Sequence, residues 1–404
     1  MLSSAAALWQ RLAPQRWPLP LEALPTEAAL VGGAVRDGLL GCLAETPDLD
    51  LVVPRGAIDL AQQLARRLGG SAVVLDEPRD IARLVLQGWT IDLAAQEGPN
   101  LETDLRRRDY SINAIALPLA PGAGLLDPTG GLAALQRREL VAVAEANLLD
   151  DPLRLLRGLR LAAELSFTLE AQSQAWIERH HRAMASVAGE RVLAELEKLA
   201  QAPGGAAGLT AVLTANLLEP WRGSAPALMP QLQRLTPTWA LACGLQDPEW
   251  AWALPLARLS CVVDGAGLGR LRSSRLLQKR CQLLRDGFNS LAGRPLVTLP
   301  DDERFALHNK LEADLPALLL LAGPGAAEPE LLGRWRDPGD PLCHPKPPLD
   351  GHQLQTMLTI PPGRELGALL THLSQERAFG RLARDAEAAV IVPIARAWLA
   401  RRRD

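Results

Sequence analysis

Two aspartates, Asp48 and Asp50, stand two residues apart in the run PDLDLVV. In a strand, residues at that spacing point to one face. The two carboxylates therefore aim together, while Leu49 and Leu51 turn into a core. Side-by-side carboxylates repel unless a cation sits between them, and an all-oxygen pair suits Mg²⁺. Just upstream, Leu30-Val31 runs into Gly32-Gly33, where bare backbone N–H groups can approach a phosphate, with Arg36 close behind to meet its charge. Alone, a Gly-Gly pair is an ordinary turn and Asp-x-Asp an ordinary surface strand. Their order and closeness point to nucleotidyl transfer, with Asp48 and Asp50 as metal-binding catalytic carboxylates and Gly32, Gly33 and Arg36 as nucleotide-binding residues.

Two further stretches carry candidate chemistry. In DLRRRDYSINAIAL (104–117), three arginines and Asp109 precede an alternating segment that reads as a strand. In LLDDPLRLLRGLRLAAELSF (148–167), Pro152 suits a first helical turn, which makes Asp151 the expected N-cap. Arg154, Arg157 and Arg160 recur every three residues along one face, opposite Leu155, Leu156, Leu159 and Ala162. A carboxylate accepts from the exocyclic amine of cytosine or adenine, and an arginine donates to acceptors on the same base edge. Asp151 and Arg154 could thus select C and A over U and G without a template, leaving Arg157 and Arg160 for the triphosphate or an RNA backbone. The plain alternative is a capped amphipathic helix with a basic surface. Asp92, in WTIDLAA, is a candidate third carboxylate, and a structural role suits it better.

The elements that must position these residues change character along the chain. From about residue 28 to 119, short β-like runs (AALVG, LDLVV, SAVVLD, ARLVLQ, WTIDLAA, SINAIALPL) alternate with helices, one of which ends at Gly69-Gly70. Beyond about Val141 no strand pattern remains, and Leu/Ala-rich helical spacing takes over. Breaks are expected at Pro203 to Gly205, at Gly265 to Gly269, and in the Pro/Gly-rich run 323–351 before a last helical unit. In that unit Leu366, Leu369, Leu370 and Leu373 form an apolar stripe. Trp221, Trp239, Trp250, Trp252 and Trp335 suit interhelix packing.

The 404 residues, 48% of them hydrophobic, can bury a large core, and the formal charge of −3 gives no bulk signal for nucleic acid. RNA contact would need a local basic face such as Arg106-Arg107-Arg108, the Arg154 series, or the terminal Arg401-Arg402-Arg403. Five scattered cysteines without histidine partners at ligand spacing exclude a disulfide framework or zinc site and suit a reducing compartment. No apolar run is long enough to span a bilayer, and the first residues read as an amphipathic helix, so a cytoplasmic protein is expected.

GGAVRD followed by DLDLVV, with RRDxxxNA (107–114), DPTGGL (127–132), DDPxR (150–154) and GERVLAELEKLA (189–200), resembles the class II tRNA nucleotidyltransferase and bacterial poly(A) polymerase family. The resemblance runs over roughly Leu30 to Ala200, returns over Pro348 to Leu382, and is weak between. It implies an α+β chain, with a small polymerase-β-like head on a mixed sheet followed by an all-helical neck, body and tail. The corresponding divisions are 1–140, 141–202, 203–340 and 341–404. It implies Mg²⁺-dependent addition of nucleotides from CTP and ATP to the 3′ end of tRNA, with no membrane and no obligate protein partner. By the same carry-over Arg108 contacts triphosphate or ribose, Asn113 holds local geometry, Glu190 and Arg191 tie helices together, and the tail cradles tRNA. Two departures bear on nucleotide choice. Asp150 stands where the family often has Glu, and the segment AAQEGPNLETDL is short where many CCA-adding members carry a longer flexible loop. Members that add only CC tend to have that loop shortened. A CC-only or A-only specialist and a poly(A) polymerase stay open, and an inactive RNA-binding protein is the more distant alternative.

Overall fold

The computed structural model describes residues 5–326 and 330–401, so Arg402 and Arg403 of the terminal basic run lie outside the described residues. The chain forms two compact units: residues 1–195 with 211–220, and residues 196–210 with 221–404.

The first unit opens with α1 (Ala5–Leu12), whose buried Leu8 and Leu12 form the apolar face expected of the lead-in helix. The sheet strands are β1 (Ala29–Val31), β2 (Leu49–Val53), β3 (Ser71–Asp76), β4 (Ile81–Leu86), β5 (Trp89–Ala95) and β6 (Leu117–Pro118). They lie in the order β3-β4-β5-β2-β1-β6. β2 and β5 are parallel and the other neighbours antiparallel, so the sheet is mixed. Helix α2 (Gly32–Leu40) joins β1 to β2, and α3 (Ala57–Leu68) packs on β3, β4 and β5. The second face carries Ala29, Val31 and Val52 against Leu105 of α4 (Leu101–Arg106), which Asn100 caps by accepting from Thr103 N. At the outer strands this face is open: Arg83 and Val85 are exposed, as is Val73 on the edge strand.

The sequence next forms α5 (Gly131–Arg137), β7 (Glu139–Leu140), α6 (Glu145–Asp150), α7 (Leu153–Leu165), β8 (Thr168–Leu169), α8 (Ala171–Arg179) and α9 (Gly189–Gln201). The Asp127 carboxylate, in DPTGGL, accepts from Gly131 N and Leu132 N and starts α5. β7 and β8 pair in parallel, so one short strand does follow Val141.

Among the described residues every secondary-structure element of the second unit is a helix. Its longest helices are Asp247–Val262 and Arg275–Leu291, and a separate apolar cluster of Leu354, Leu366, Leu369, Leu373 and Ile391 holds the C-terminal helices. Two expectations are corrected here. Gly265 to Gly269 is not a break but the start of a helix, Gly265–Arg270; a Cβ on Gly267 would lie 2.7 Å from the Trp221 carbonyl. The Pro/Gly-rich run is not a loose linker either. It contains the helix Leu331–Arg336 and the fully buried Asp340, whose carboxylate takes Arg334 at 2.9 Å, Arg384 at 2.7 Å and the N–H groups of Leu342 and Cys343.

Candidate active site

The site is built where β1 ends and β2 begins. β1 and β2 are antiparallel with Val31 opposite Asp50, so the Gly32-Gly33 turn and the aspartates meet at one end of the sheet. Asp48 lies one residue before the strand, not within it, because β2 starts at Leu49; it is exposed. Asp50 is half-buried on the strand itself. Gly32 has φ +71, and a Cβ there would lie 2.5 Å from Asp50 Oδ2. Glycine is thus required twice, for the left-handed backbone and for the close approach of the carboxylate. α2 begins at this glycine, with no side chain capping its first turn. Its leading N–H groups are of the kind that receive phosphates.

Asp50 has its pKa pushed up to about 6, chiefly by burial; Arg108 draws it down, while Asp92 and Asp48 raise it further. Among the described residues no arginine or lysine is hydrogen-bonded to Asp48 or Asp50, so the pair is left short of a bound cationic partner, Arg108 being held by Asp104. Asp92, level with Asp50 on the parallel neighbour β5, is not part of that shortage. Arg83 of β4 holds it through two 2.8 Å hydrogen bonds, which favours the structural role. Among the described residues no group of three or more His, Cys, Asp or Glu comes together to hold a metal. A pair of carboxylate oxygens short of a cation fits a divalent ion that completes its shell from another oxygen-rich ligand.

Around the pair runs a polar network. Arg36, almost fully buried, gives Nε and one terminal nitrogen to Asp37 (2.7 and 3.0 Å) and the other to Asn113 Oδ1 (2.8 Å). Its guanidinium also lies 3.7 Å from where a Gly33 Cβ would be. Asn113 in turn donates to Asp109 at 3.3 Å, and Arg157 donates to Asp109 at 3.2 Å. Arg157 and Arg160 both face Glu195 of α9, at 3.8 and 2.6 Å. The line Glu195–Arg157–Asp109–Asn113–Arg36 thus ties α7 and α9 to the glycine turn. Asp109 is buried, which alone would raise its pKa; Arg157, the Tyr110 N–H, Arg154 and Asn113 together hold it below the usual carboxylate range.

Several expected placements change. The segment after Asp109 is not a strand: Ser111–Asn113 is a 3-10 turn, and only Leu117–Pro118 joins the sheet. The 3-10 turn is what lets Asn113 reach back to Asp109. Asp151 is not the N-cap of α7; it closes α6, and Pro152 takes the cap position. Its Oδ2 accepts from Arg191 at 2.8 Å, and burial, which would raise its pKa, is outweighed by Arg191, so it is held low. Arg154 donates one terminal nitrogen to the carbonyls of Arg107 and Asn147, at 3.0 and 2.9 Å. Arg160 is not on a free basic surface but is paired with Glu195 and Glu164. Arg108 holds Asp104 at 3.1 Å while its charge acts on Asp50.

Three residues that the sequence reading does not single out complete the network. Glu195 gathers two arginines, and Asn147 donates to the carbonyls of Arg106 and Arg108 at 2.8 Å each. Tyr110 donates to the Arg154 carbonyl at 2.9 Å, and a Cβ on Gly158 would lie 1.9 Å from its hydroxyl. A glycine in the middle of a helix was the available signal for that contact.

A mixed sheet presenting two carboxylates beside a glycine-led helix N-terminus defines a nucleotidyltransferase head. Residues 89–141 match the family described as Poly A polymerase head domain, and residues 166–228 that described as Probable RNA and SrmB-binding site of polymerase A. The chain is 35% identical over 399 residues to a CC-adding tRNA nucleotidyltransferase of Synechocystis, covering 93% of this chain and 95% of that protein. It is 42% identical over 205 residues to an A-adding tRNA nucleotidyltransferase of Deinococcus radiodurans, covering 50% and 46%. A solved structure of the Thermotoga maritima CCA-adding enzyme complexed with tRNA superposes with a TM-score of 0.73 over 99% of this chain and 100% of that one, at 20% identity. The chain belongs to the family of tRNA nucleotidyltransferases and poly(A) polymerases.

Proposed function

We propose that this chain adds CMP residues from CTP to the 3′ end of tRNA and stops at CC. The observation that carries the transferase reading is the cation-short pair Asp48 and Asp50 beside the Gly32-Gly33 helix start. Two findings support stopping at CC. A relative matched along nearly its whole length at 35% identity bears the CC-adding name; a CCA-adding enzyme matched as fully does so at 28%, and the A-adding one matches over half. Residues 96–100 join β5 directly to α4, and Glu97 N is fixed to the Asp104 carboxylate at 3.0 Å, so the connection is tight and short.

Asp48 and Asp50 would hold Mg²⁺, which when bound supplies charge neutralisation for the triphosphate and activation of the attacking 3′-hydroxyl. Gly32 and Gly33 offer backbone N–H groups to the phosphates, and Arg108 adds a guanidinium whose charge already acts on Asp50. Arg36 sets the geometry of the glycine turn through Asp37 and Asn113. Asp151 and Arg154 read the base. Arg154 is anchored by one nitrogen on two carbonyls and keeps its other donors, and Asp151 keeps Oδ1, whose one contact is a 3.4 Å approach from Leu153 N. Arg157 and Arg160 brace that pair through Asp109 and Glu195. The divisions 1–140, 141–202, 203–340 and 341–404 serve as head, neck, body and tail, with the tail gripping tRNA. A cytoplasmic setting suits five free cysteines and a tRNA substrate; no helix among the described residues is long and apolar enough to cross a membrane.

The test supplies a tRNA ending before CCA with CTP and ATP together. Products ending in CC are expected; efficient completion to CCA overturns the stop at CC, and runs of A on a non-tRNA primer would favour a poly(A) polymerase.

A further inference from the structure

Between Asp264 and Asp286 the chain has no acidic residue, yet it carries Arg270, Arg272, Arg275, Lys279, Arg280 and Arg285. Two of these are committed inside the second unit. Arg280 binds Asp314 at 2.6 Å, and the buried Arg285 binds the carbonyls of Ser260 and Pro226. The other four are exposed, on the turn between the helices Gly265–Arg270 and Arg275–Leu291 and on the first turns of the second helix. Several other surface arginines in this unit meet carboxylates: Arg294 with Glu303, Arg336 with Glu249, Arg381 with Asp301. Among the described residues neither Arg275 nor Lys279 has such a partner.

The placement works against the free helix. Arg275 is its first residue, no acidic residue lies in that turn, and Arg275 and Lys279 are like charges four apart. A helix start disfavours cations, and like charges at that spacing repel. An anion laid across them removes both penalties. The display is also held firmly: Asp264 caps Gly267, Ser274 caps Leu277, and Arg270 is tethered to the Arg222 carbonyl. Leu276, 66% exposed between the two cations, offers apolar contact to a sugar.

We propose that Arg270, Arg272, Arg275 and Lys279 form a landing strip for RNA phosphates, used by the substrate away from the nucleotide site. This rests on the tRNA reading above. In the full-length protein, R275Q/K279Q should raise KM for tRNA about fivefold. It should also flatten the log–log salt dependence of tRNA binding by about 1.5, at ~0.7–0.9 per lost phosphate contact. The kcat and the KM for CTP should stay within about twofold, and Tm should be equal or higher because an unfavourable pair is gone. R275K/K279R should keep the wild-type slope. An unchanged tRNA KM and salt slope in the folded Gln variant overturns the strip while leaving the tRNA reading standing; failure of the wild type to extend tRNA overturns both. Polyglutamate that binds the wild type but not the variant, with the tRNA slope unmoved, would assign the strip to an acidic protein and overturn the RNA proposal.

Discussion

The sheet end that carries Asp48 and Asp50 and the wall that carries Asp109 and Asp151 treat their carboxylates in opposite ways. At the wall three carboxylates have their arginines: Asp109 has Arg157, Asp151 has Arg191, and Glu195 has Arg157 and Arg160. Asp109 and Asp151 are both held below the ordinary pKa range despite burial. At the sheet end Arg83 binds Asp92 and Arg36 binds Asp37, while Asp50, bound by neither, is driven up by burial beside two like charges. The same residue type thus does two jobs. Where charge is balanced it fixes geometry; where charge is left over, we propose, it takes a cation and a triphosphate.

The sharpest way to break this contrast is to remove the unbalanced side. Asp48→Ala or Asp50→Ala should lower CMP incorporation by about a thousandfold or more, the scale of losing a principal electrostatic contributor, while tRNA binding changes less than twofold in a filter assay. Gly32→Ala should cost about a hundredfold, since a Cβ 2.5 Å from Asp50 Oδ2 must displace that carboxylate; an active Gly32→Ala enzyme would mean that Asp50 has no fixed position to lose. On the balanced side, Arg157→Ala leaves Asp109 buried without its main partner and should destabilise the fold by about 3–5 kcal/mol in urea unfolding.

The two regions should also respond to pH with opposite signs. Asp50 has its folded pKa raised to about 6, so its neutral form stabilises the fold below the unfolded pKa, and that contribution is lost as pH rises through 6. Asp50→Asn should therefore be more stable than wild type at pH 8, by up to about 3 kcal/mol, with the gap closing below about pH 4. Asp109 has its pKa lowered, so its contribution is present above the unfolded value and lost as pH falls through the folded one. Asp109→Asn should be the less stable protein at pH 7, and the difference should shrink in acid. The smallest effect is expected from Arg83→Gln: the pair with Asp92 is largely exposed and worth at most about 1 kcal/mol.

Much of the balance-free side was legible in the sequence. Alternation located β1 to β5, Gly69 stopped α3, and the glycine pair and Asp-x-Asp spacing located the candidate site. The balanced side was not, because ion pairs join residues far apart along the chain. The spacing of Arg157 and Arg160 puts them on one face, but nothing local says that Asp109, 48 residues back, and Glu195, 35 residues on, will claim them. The 3-10 turn at Ser111–Asn113 was masked by its apolar alternation, and only the reach of Asn113 to Asp109 explains it. At Gly265 to Gly269, glycines read as a break turned out to serve close packing, Gly267 against the Trp221 carbonyl.

The central claim is that Asp48 and Asp50 together are short of a cation. The direct measurement is thermal unfolding at pH 8 with CTP present and Mg²⁺ titrated, comparing wild type with D48N/D50N. Wild type should gain stability by mass action, about 2.7 kcal/mol at a hundred times Kd, and the double variant should show no Mg²⁺-dependent rise. An equal rise in both would place the cation elsewhere and contradict the account.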